Sequence, residues 1–371
     1  MKESQLILNK RLKNAIEHKR VDRISCAPSI ECYAARFHGI STYDFLHDCD
    51  LAFQAFENLK NSFPSWDIRR SIYSVHYGPI QNTIGLLKSK MPDRNLERNS
   101  ELQFIEYEVM DREDYNIIID KGYEAYLNKA YFTMFKSLPE DIKAAKDEQL
   151  RIHKNEILHA KLNHQLFLYG AHIHFPYSYF SNLRSFQQFV KDVYQIPDVV
   201  KEAGSIAVDH CINESLKTIK ETGIPRVMIG VNRINGEFFS NTIFEKLFWP
   251  NIERCALRFI SEGITPCFHL DGNWDKNLEY FTTLPKHKII IELDGYTDIL
   301  KAKHILHNHT CILGDVPAIM FVLGSPDKVT SYCNSLISEF REDGGFILGS
   351  GCTLPYNTKH ENVKAFFNAN F

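Results

Sequence analysis

Four short apolar runs in the second half of the chain each end on residues that can bind a metal ion or move a proton. The residues at these ends are His269 and Asp271, Glu292 and Asp294, Asp315, and Cys352. Continuous apolar runs separated by helical stretches are typical of buried parallel strands, and ligands of such folds bind at the carboxyl ends of the strands. We therefore predict that these side chains, although distant in sequence, line one mouth.

His269 and Asp271 are two residues apart, so on an extended strand their side chains point to the same face. Imidazole and carboxylate are both zinc ligands, and the thiolate of Cys352 could complete a three-ligand site with an open fourth position. The alternative is a histidine that is hydrogen-bonded to an aspartate, with an inert buried cysteine nearby. On local residues alone we favour this alternative, because a two-residue motif carries little information.

Three further carboxylates follow predicted strands. Glu292 and Asp294 could act as ligand and orienting group or as acid and base with separated pKa values; otherwise one caps a helix and the other pairs with a lysine such as Lys301. Asp315 could bind a substrate donor or hold His269, or it could simply belong to a turn, since Asp and Pro near a Gly are common in loops.

Two polar pairs complete the set of candidates for substrate binding. His172 and His174 end a predicted strand and point to the mouth, where a role in a substrate pocket and a role in the core fit equally well. Asn232 and Arg233 follow the apolar run 227–231. The arginine could pair with an anionic substrate or neutralise the nearby carboxylates.

The elements that must position these residues alternate between strand and helix. The pattern predicts strands at 24–30, 72–77, 104–109, 166–175, 227–231, 265–270, 288–293, 310–314 and 345–349. It predicts helices at 3–20, 43–62, 122–164, 182–194, 197–222, 241–262, 274–283, 297–307, 326–342 and 358–369. About eight parallel βα units make a (β/α)8 TIM-like barrel the simplest α/β architecture, with an open doubly wound sheet as the alternative. We predict one domain over 1–371, with a helical N-terminal extension and an irregular, helical insertion at about 64–164.

Composition and charge argue against a nucleic-acid-binding or membrane protein. Of 371 residues, 44% are hydrophobic and 24% charged, and the formal net charge of −3 gives no strong attraction to nucleic acid or membrane. No apolar stretch approaches the roughly 20 residues of a membrane span, and the N-terminus lacks the apolar core of a signal peptide. We therefore expect a cytoplasmic protein. Its nine cysteines include no Cys-x-x-Cys pair.

Several motifs together resemble the uroporphyrinogen decarboxylase superfamily. They are Gly-Asp-Val-Pro at 314–317, the segments 323–329 and 344–352, Pro355 with 361–365, and, further upstream, 183–197 and 248–250. The resemblance covers nearly the whole chain and is clearest over 165–371. It implies a (β/α)8 barrel with an N-terminal extension, in agreement with the pattern of elements.

The resemblance implies one of two activities. One is metal-free decarboxylation of uroporphyrinogen, for which the family uses an arginine-rich segment after the first strand; here that place reads Pro-Ser-Ile-Glu-Cys-Tyr-Ala-Ala-Arg at 28–36, without the arginine pair. The other is zinc-dependent methyl transfer involving a corrinoid protein, with a His-x-Cys-Gly motif and a second Cys at the last strand. Here His269 and Cys352 match, and Asp271 replaces the middle thiolate. Aspartate makes the bound ion harder and a stronger Lewis acid.

The resemblance to the methyltransferase branch is the closer one. It implies a Zn²⁺ site of His269, Asp271 and Cys352, with Asp315 and Glu292 orienting ligands or moving protons, and methyl transfer between a small donor or acceptor and a corrinoid carried by a partner protein. The alternative is metal-free decarboxylation, which would depend on Arg36, Arg233 and Asp315. A third reading is a non-catalytic module that binds a small molecule or corrinoid.

Overall fold

The computed structural model describes residues 2–370 and consists of parallel strands surrounded by helices. The strands are β1 Ser25–Cys26, β2 Ile68–Arg69, β3 Ser89–Lys90, β4 Gln103–Phe104, β5 Leu166–Phe167, β6 Ala171–His174, β7 Arg226–Val231, β8 Thr265–Leu270, β9 Ile290–Leu293, β10 Cys311–Val316 and β11 Phe346–Ser350. Every strand pair except the β3–β4 hairpin is parallel. Among residues 2–370, no helix combines the length and apolar character needed to cross a bilayer.

In the described chain, nine helices precede β5. They are α1 Lys2–Ile16, α2 Cys32–His38, α3 Thr42–His47, α4 Cys49–Ser62, α5 Tyr73–His76, α6 Gly78–Ile84, α7 Asp114–Lys121, α8 Tyr123–Phe135 and α9 Pro139–Leu162. The later helices are α10 Pro176–Leu183, α11 Phe186–Gln195, α12 Pro197–Thr222, α13 Asn241–Ile243, α14 Trp249–Ser261, α15 Ile299–Ile305, α16 Ala318–Leu323, α17 Pro326–Phe340 and α18 His360–Phe367. A π-helical segment spans Phe244–Phe248 and a 3₁₀ helix spans Leu278–Thr283.

The strands follow one another around a ring. Seven of them are hydrogen-bonded in the order β1-β11-β10-β9-β8-β7-β6, and β2 pairs with β5. β5 and β6 belong to one run of chain, and the amide of Asp67 donates to the carbonyl of Cys26 at 3.1 Å, which joins β2 to β1. The eight strand positions form the predicted (β/α)8 TIM-like barrel rather than the alternative, an open doubly wound sheet.

The barrel interior is filled by small and branched apolar side chains. A cluster inside the ring includes Ile68, Cys267, Ile290, Leu313 and Ile347, all completely or almost completely buried. Three side chains of the N-terminal helix α1 (Leu8, Leu12 and Ala15) belong to the same cluster. The predicted helical extension therefore covers one end of the barrel, and the other end is left for the functional site.

Elements predicted in the segment 64–120 differ from those in the structure. The strand predicted at 72–77 is wrong, because residues 73–76 form helix α5. The amides of Tyr73 and Ser74 donate to the carboxylate of Glu156, on the distant helix α9, at 2.6 and 3.0 Å. A cap supplied from so far along the chain leaves no local signal.

Other predicted helices and strands also have different bounds or types in the structure. Of the predicted strand 104–109, only Phe104 is paired; it belongs to β4, which forms a short hairpin with β3. The predicted helix 274–283 is a 3₁₀ helix over Leu278–Thr283, and helices α10 and α16 were not predicted. The region treated as an insertion contains the barrel strand β2, so it is part of the barrel wall. A single domain over 1–371 stays a prediction.

Replacement of Glu156 by Ala should destabilise the protein by about 3–5 kcal/mol, because it leaves a buried guanidinium without its carboxylate. Arg69 Nη2 lies 3.3 Å from Glu156 Oε1, and both side chains are buried. The matched control is Glu148→Ala on the same helix, which removes an exposed pair with Arg151 and should cost about 0.5 kcal/mol. Urea unfolding measures both; equal losses would contradict the assigned role of Glu156.

Candidate functional site

Three side chains from two strand ends converge at the open end of the barrel. His269 lies near the end of β8, Asp271 directly follows that strand, and Cys352 follows β11. One ligand atom from each of the three residues lies within 4.8 Å of the other two. His269 Nε2 is 3.2 Å from Asp271 Oδ1. The predicted nitrogen, oxygen and sulfur donors therefore meet, as they would around one ion.

The two strands that flank the centre fix the orientation of His269. In the parallel pairing of β8 with β9, His269 is in register with Glu292. His269 Nδ1 lies 3.1 Å from Glu292 Oε2. Because an ionised carboxylate only accepts hydrogen bonds, the Nδ1 atom carries the proton of a neutral His269 ring. Nε2 faces Asp271, and a metal ion that bound there would displace the Nε2 proton of the charged ring.

Glu292 is itself held by buried partners. Arg70 Nη1 donates to Glu292 Oε2 at 2.8 Å, and the Tyr169 hydroxyl donates to Oε1. Arg70 also donates to the carbonyl of Ala27 at 2.9 Å and to the carbonyl of Ser350. Burial raises the pKa of Glu292, and the guanidinium of Arg70 opposes that shift. The pair is thus a neutral support behind His269.

The charges around His269 favour a cation. Burial alone would lower the pKa of His269, but the Asp271 carboxylate and the Cys352 thiol raise it to about 10. Since Arg70 balances Glu292, an ionised Asp271 and a Cys352 thiolate would contribute two negative charges, which match a divalent ion. Three zinc ligands around one ion lie about 3.5 Å apart, so the present cluster needs only a small contraction.

A small cavity opens beside this centre. It has a volume of about 100 Å³, and its walls include His269, Glu292, Cys352 and His172. The Cys352 side chain is exposed and Asp271 is half-buried, so the ligand atoms can be reached from solvent. The cavity has room for a small group next to His269 and Cys352.

The two histidines of β6 are held in the neutral form. Burial lowers the pKa of His172 to about 3 and that of His174 to about 4. His174 Nε2 lies 3.2 Å from the Asn182 amide nitrogen. His172 lies on the wall of the small cavity, whereas His174 contacts the side-chain amide of Asn182.

The remaining predicted substrate residues shape loops around the mouth. Asp294 accepts hydrogen bonds from the amides of Gly272, at 2.7 Å, and Tyr296, at 3.0 Å, and so fixes the turn after β8. Burial acts to raise the pKa of Asp271, but the His269 imidazole lowers it, and a hydrogen bond from the Asn232 side chain adds to that lowering. Arg233 is paired with Glu106 at 3.0 Å, so it neutralises a protein carboxylate.

The contacts of Asp315 point away from the three-residue cluster. Its carboxylate accepts a hydrogen bond from the Tyr332 hydroxyl of helix α17 at 2.8 Å. Both residues line a separate cavity of about 470 Å³. Glu292, and not Asp315, holds His269. The prediction that Asp315 orients the ligands therefore requires correction, because its hydrogen bond is directed to the helix outside β10.

The residues that the sequence analysis missed are Arg70 and Tyr169. Arg70 directly follows β2, a strand that was not predicted, whereas Tyr169 lies within the predicted strand 166–175. The signal for Arg70 was the pair Arg69-Arg70 directly after the alternating segment Trp66-Asp67-Ile68. Two adjacent charges at the end of a buried run require buried partners.

Comparisons with known proteins agree with this architecture. The family model described as uroporphyrinogen decarboxylase (URO-D) matches residues 129–370. The chain belongs to the uroporphyrinogen decarboxylase family. A solved structure of a methyltransferase from Methanosarcina mazei is similar to it, with a TM-score of 0.67 and 16% sequence identity, over 97% of this chain and 96% of that one. This likeness supports the fold. A comparison with curated proteins found no match.

Replacing Arg70 by Met should destabilise this member of the uroporphyrinogen decarboxylase family by about 3–5 kcal/mol, because Glu292 would stay buried without its counter-charge. Arg233→Met, which breaks the more exposed pair with Glu106, should cost about 1 kcal/mol or less. Urea unfolding at neutral pH provides the comparison. An Arg70→Met variant as stable as Arg233→Met would show that the buried pair does not support the centre.

The pH dependence of stability should change in the Asp315→Asn variant. Burial raises the pKa of Asp315 from 3.8 to about 6, although the hydrogen bond from Tyr332 opposes the shift. Between these two values the folded protein binds more protons than the unfolded chain, so this group makes stability fall as pH rises. Asn cannot titrate and still accepts a hydrogen bond. The stability of Asp315→Asn relative to wild type should therefore increase from pH 4 to pH 7, as measured by urea unfolding; a constant difference would contradict the raised pKa.

Proposed function

We propose that this protein is a zinc-dependent methyltransferase that moves a methyl group between a small substrate and a corrinoid carried by a partner protein. The proposal rests mainly on one observation, the convergence of His269, Asp271 and Cys352 at the open end of the barrel. Nitrogen, oxygen and sulfur donors in this number suit a catalytic zinc site with one open position. Membership of the family and the fold shared with a methyltransferase support this choice.

Each residue of the centre has a role that follows from its contacts. His269 would bind through Nε2, because its Nδ1 proton is directed to Glu292. Asp271 and Cys352 would supply the two charged ligands. Arg70 and Tyr169 would keep Glu292 ionised and in place, which in turn holds the imidazole at the correct angle. A bound zinc ion would act as a Lewis acid toward the substrate heteroatom.

The substrate and the partner would share the open end of the barrel. The small cavity beside Cys352 can admit the methylated heteroatom of the substrate. The methyl group would leave or reach that heteroatom from the solvent side, where Asp271 and Cys352 are accessible. A corrinoid protein that docks on this face would bring its cobalt to the methyl group, while the α1 end of the barrel stays closed.

The alternative of metal-free decarboxylation has less support from the site. A substrate with many carboxylates needs cationic groups that are not already paired with protein groups. Arg233 is paired with Glu106, and Arg36 donates to the carbonyls of Tyr356 and Thr358 in an exposed loop. Arg70 does line the small cavity, but it is committed to Glu292.

Metal analysis of the purified protein tests the proposal. The wild type should bind one zinc ion per chain, and His269→Ala and Cys352→Ala should lose most of it. Glu292→Gln leaves the three ligands in place but removes the carboxylate that holds His269 and pairs with Arg70. It should weaken zinc binding by about 10- to 100-fold in a competition with a coloured chelator. Cys49→Ala, at a half-buried cysteine on helix α4, is the control and should bind zinc like the wild type.

A spectroscopic assay tests the reaction itself. Reduced free cobalamin, as a substitute for the partner, should be methylated in the presence of the protein and a methyl donor, and His269→Ala and Cys352→Ala should lose this activity. The donors to be used are methanol, 2-methoxyphenol and dimethyl sulfide. A metal-free wild type that converts uroporphyrinogen to coproporphyrinogen would refute the proposal and establish the decarboxylase alternative.

A further inference from the structure

A carboxylate and a histidine form a second pair on the wall of the small cavity beside Cys352. Glu31 Oε1 lies 3.3 Å from His76 Nε2. Both residues line this cavity together with His269 and Cys352. Since a cavity of about 100 Å³ has room for only a few water molecules, any small molecule inside it would lie close both to this pair and to the metal-ligand candidates.

Glu31 is held at the cavity by the turn that follows β1. The amides of the two preceding residues donate to the hydroxyls of Ser350 and Ser71, at 2.9 and 2.8 Å. Glu31 is the N-cap residue of helix α2, a position whose side chain commonly accepts a hydrogen bond from the first turn of its helix. Here no such bond is made. The carboxylate is directed to His76 instead.

His76 connects this pair with solvent. It is the last residue of helix α5, whose first amides are bound by the carboxylate of Glu156. The His76 side chain is 32% exposed, whereas that of Glu31 is only 11% exposed. An ionised carboxylate only accepts hydrogen bonds, so Nε2 of a neutral His76 ring carries the hydrogen that faces Glu31. Nδ1 is then the atom that gains or loses a proton.

The other six titratable side chains of this cavity already have partners or roles. Burial lowers the pKa of His172 to about 3, so that ring does not hold an extra proton at neutral pH. Three side chains form the buried support behind the imidazole of β8, and two are metal-ligand candidates. In that order they are Arg70, Tyr169 and Glu292, and His269 and Cys352. Among the described residues of this wall, Glu31 and His76 are left to exchange a proton.

The proposed methyl transfer needs such an exchange. When the bond between the methyl carbon and the substrate heteroatom breaks, the methyl group bonds to the reduced cobalt of the corrinoid. The electron pair of the broken bond stays on the heteroatom, and this anion must take up a proton before a neutral product leaves. In the opposite direction a thiol or alcohol loses a proton, and the electron pair of the carbon–cobalt bond stays on cobalt. Either direction therefore uses a nearby group that gives or takes one proton.

We propose that Glu31 and His76 form a proton-exchange pair for the substrate heteroatom at the metal centre. His76 gives the proton or takes it through Nδ1, directly or through one water molecule, and Glu31 is a positioning residue that orients the ring. This inference rests on the proposed function and adds the residues that handle the proton. Exposure of the imidazole to solvent lets it return to its starting state after each turnover.

Calorimetric titration of the zinc-loaded, full-length protein with 2-mercaptoethanol at pH 7 tests this inference. Titrations in buffers with different ionisation enthalpies give the number of protons released to solution for each thiol bound. At this pH an ordinary alkyl thiol is protonated and an ordinary histidine is mostly neutral. Wild type should release clearly less than one proton, because His76 takes it, and His76→Gln should release about one. His38→Gln, on helix α2 but outside the cavity, is the matched control and should behave like the wild type.

Glu31→Gln is a second variant, which keeps a hydrogen-bond acceptor beside His76 but removes the charge. It should release more protons than the wild type, and it decides the question alone if His76→Gln fails to fold. A purely structural role of the pair would change thiol affinity without changing the proton count. Equal proton release by wild type and the two variants would therefore overturn the inference and leave the proposed function in place. A protein that binds no zinc, or a zinc-loaded protein that binds no thiol, would refute the proposed function, and the inference would fall with it.

Discussion

The structure depends on one buried ion pair, between Arg70 and Glu292. Burying two charges is costly unless each is paired and fully hydrogen-bonded. Here the guanidinium reaches the Glu292 carboxylate and the carbonyls of Ala27 and Ser350, so it links the ends of β1, β9 and β11 to the residue that follows β2. The carboxylate in turn holds His269. The same contacts that join the barrel strands therefore also fix the orientation of the imidazole.

The two ends of the barrel have different surroundings. Helix α1 covers one end, and the cluster of His269, Asp271 and Cys352 lies at the other. The short strand β2 pairs with β5, and helices α8 and α9 line a cavity of about 490 Å³ beside β6.

Much of the site could be predicted because its residues lie on the most regular part of the chain. The apolar runs of β8, β9, β10 and β11 were recognised, and parallel strands in a barrel end at the same face. This reasoning was sufficient to place His269, Asp271 and Cys352 together. It failed for Asp315, since a residue at the end of β10 can also turn its carboxylate outward, toward Tyr332. Strand position specifies the end of the barrel, but not every side-chain direction.

The sequence by itself determined the α/β architecture, the strand ends and the three candidate ligands, because these depend on periodicity and on spacing within short segments. Only the tertiary structure decided which carboxylate holds His269, which arginine balances Glu292, and that Glu156 caps helix α5. Each of those contacts joins residues 23, 222 or 83 positions apart. Contacts at such separations depend on strand register and on how the barrel closes, which local patterns do not encode.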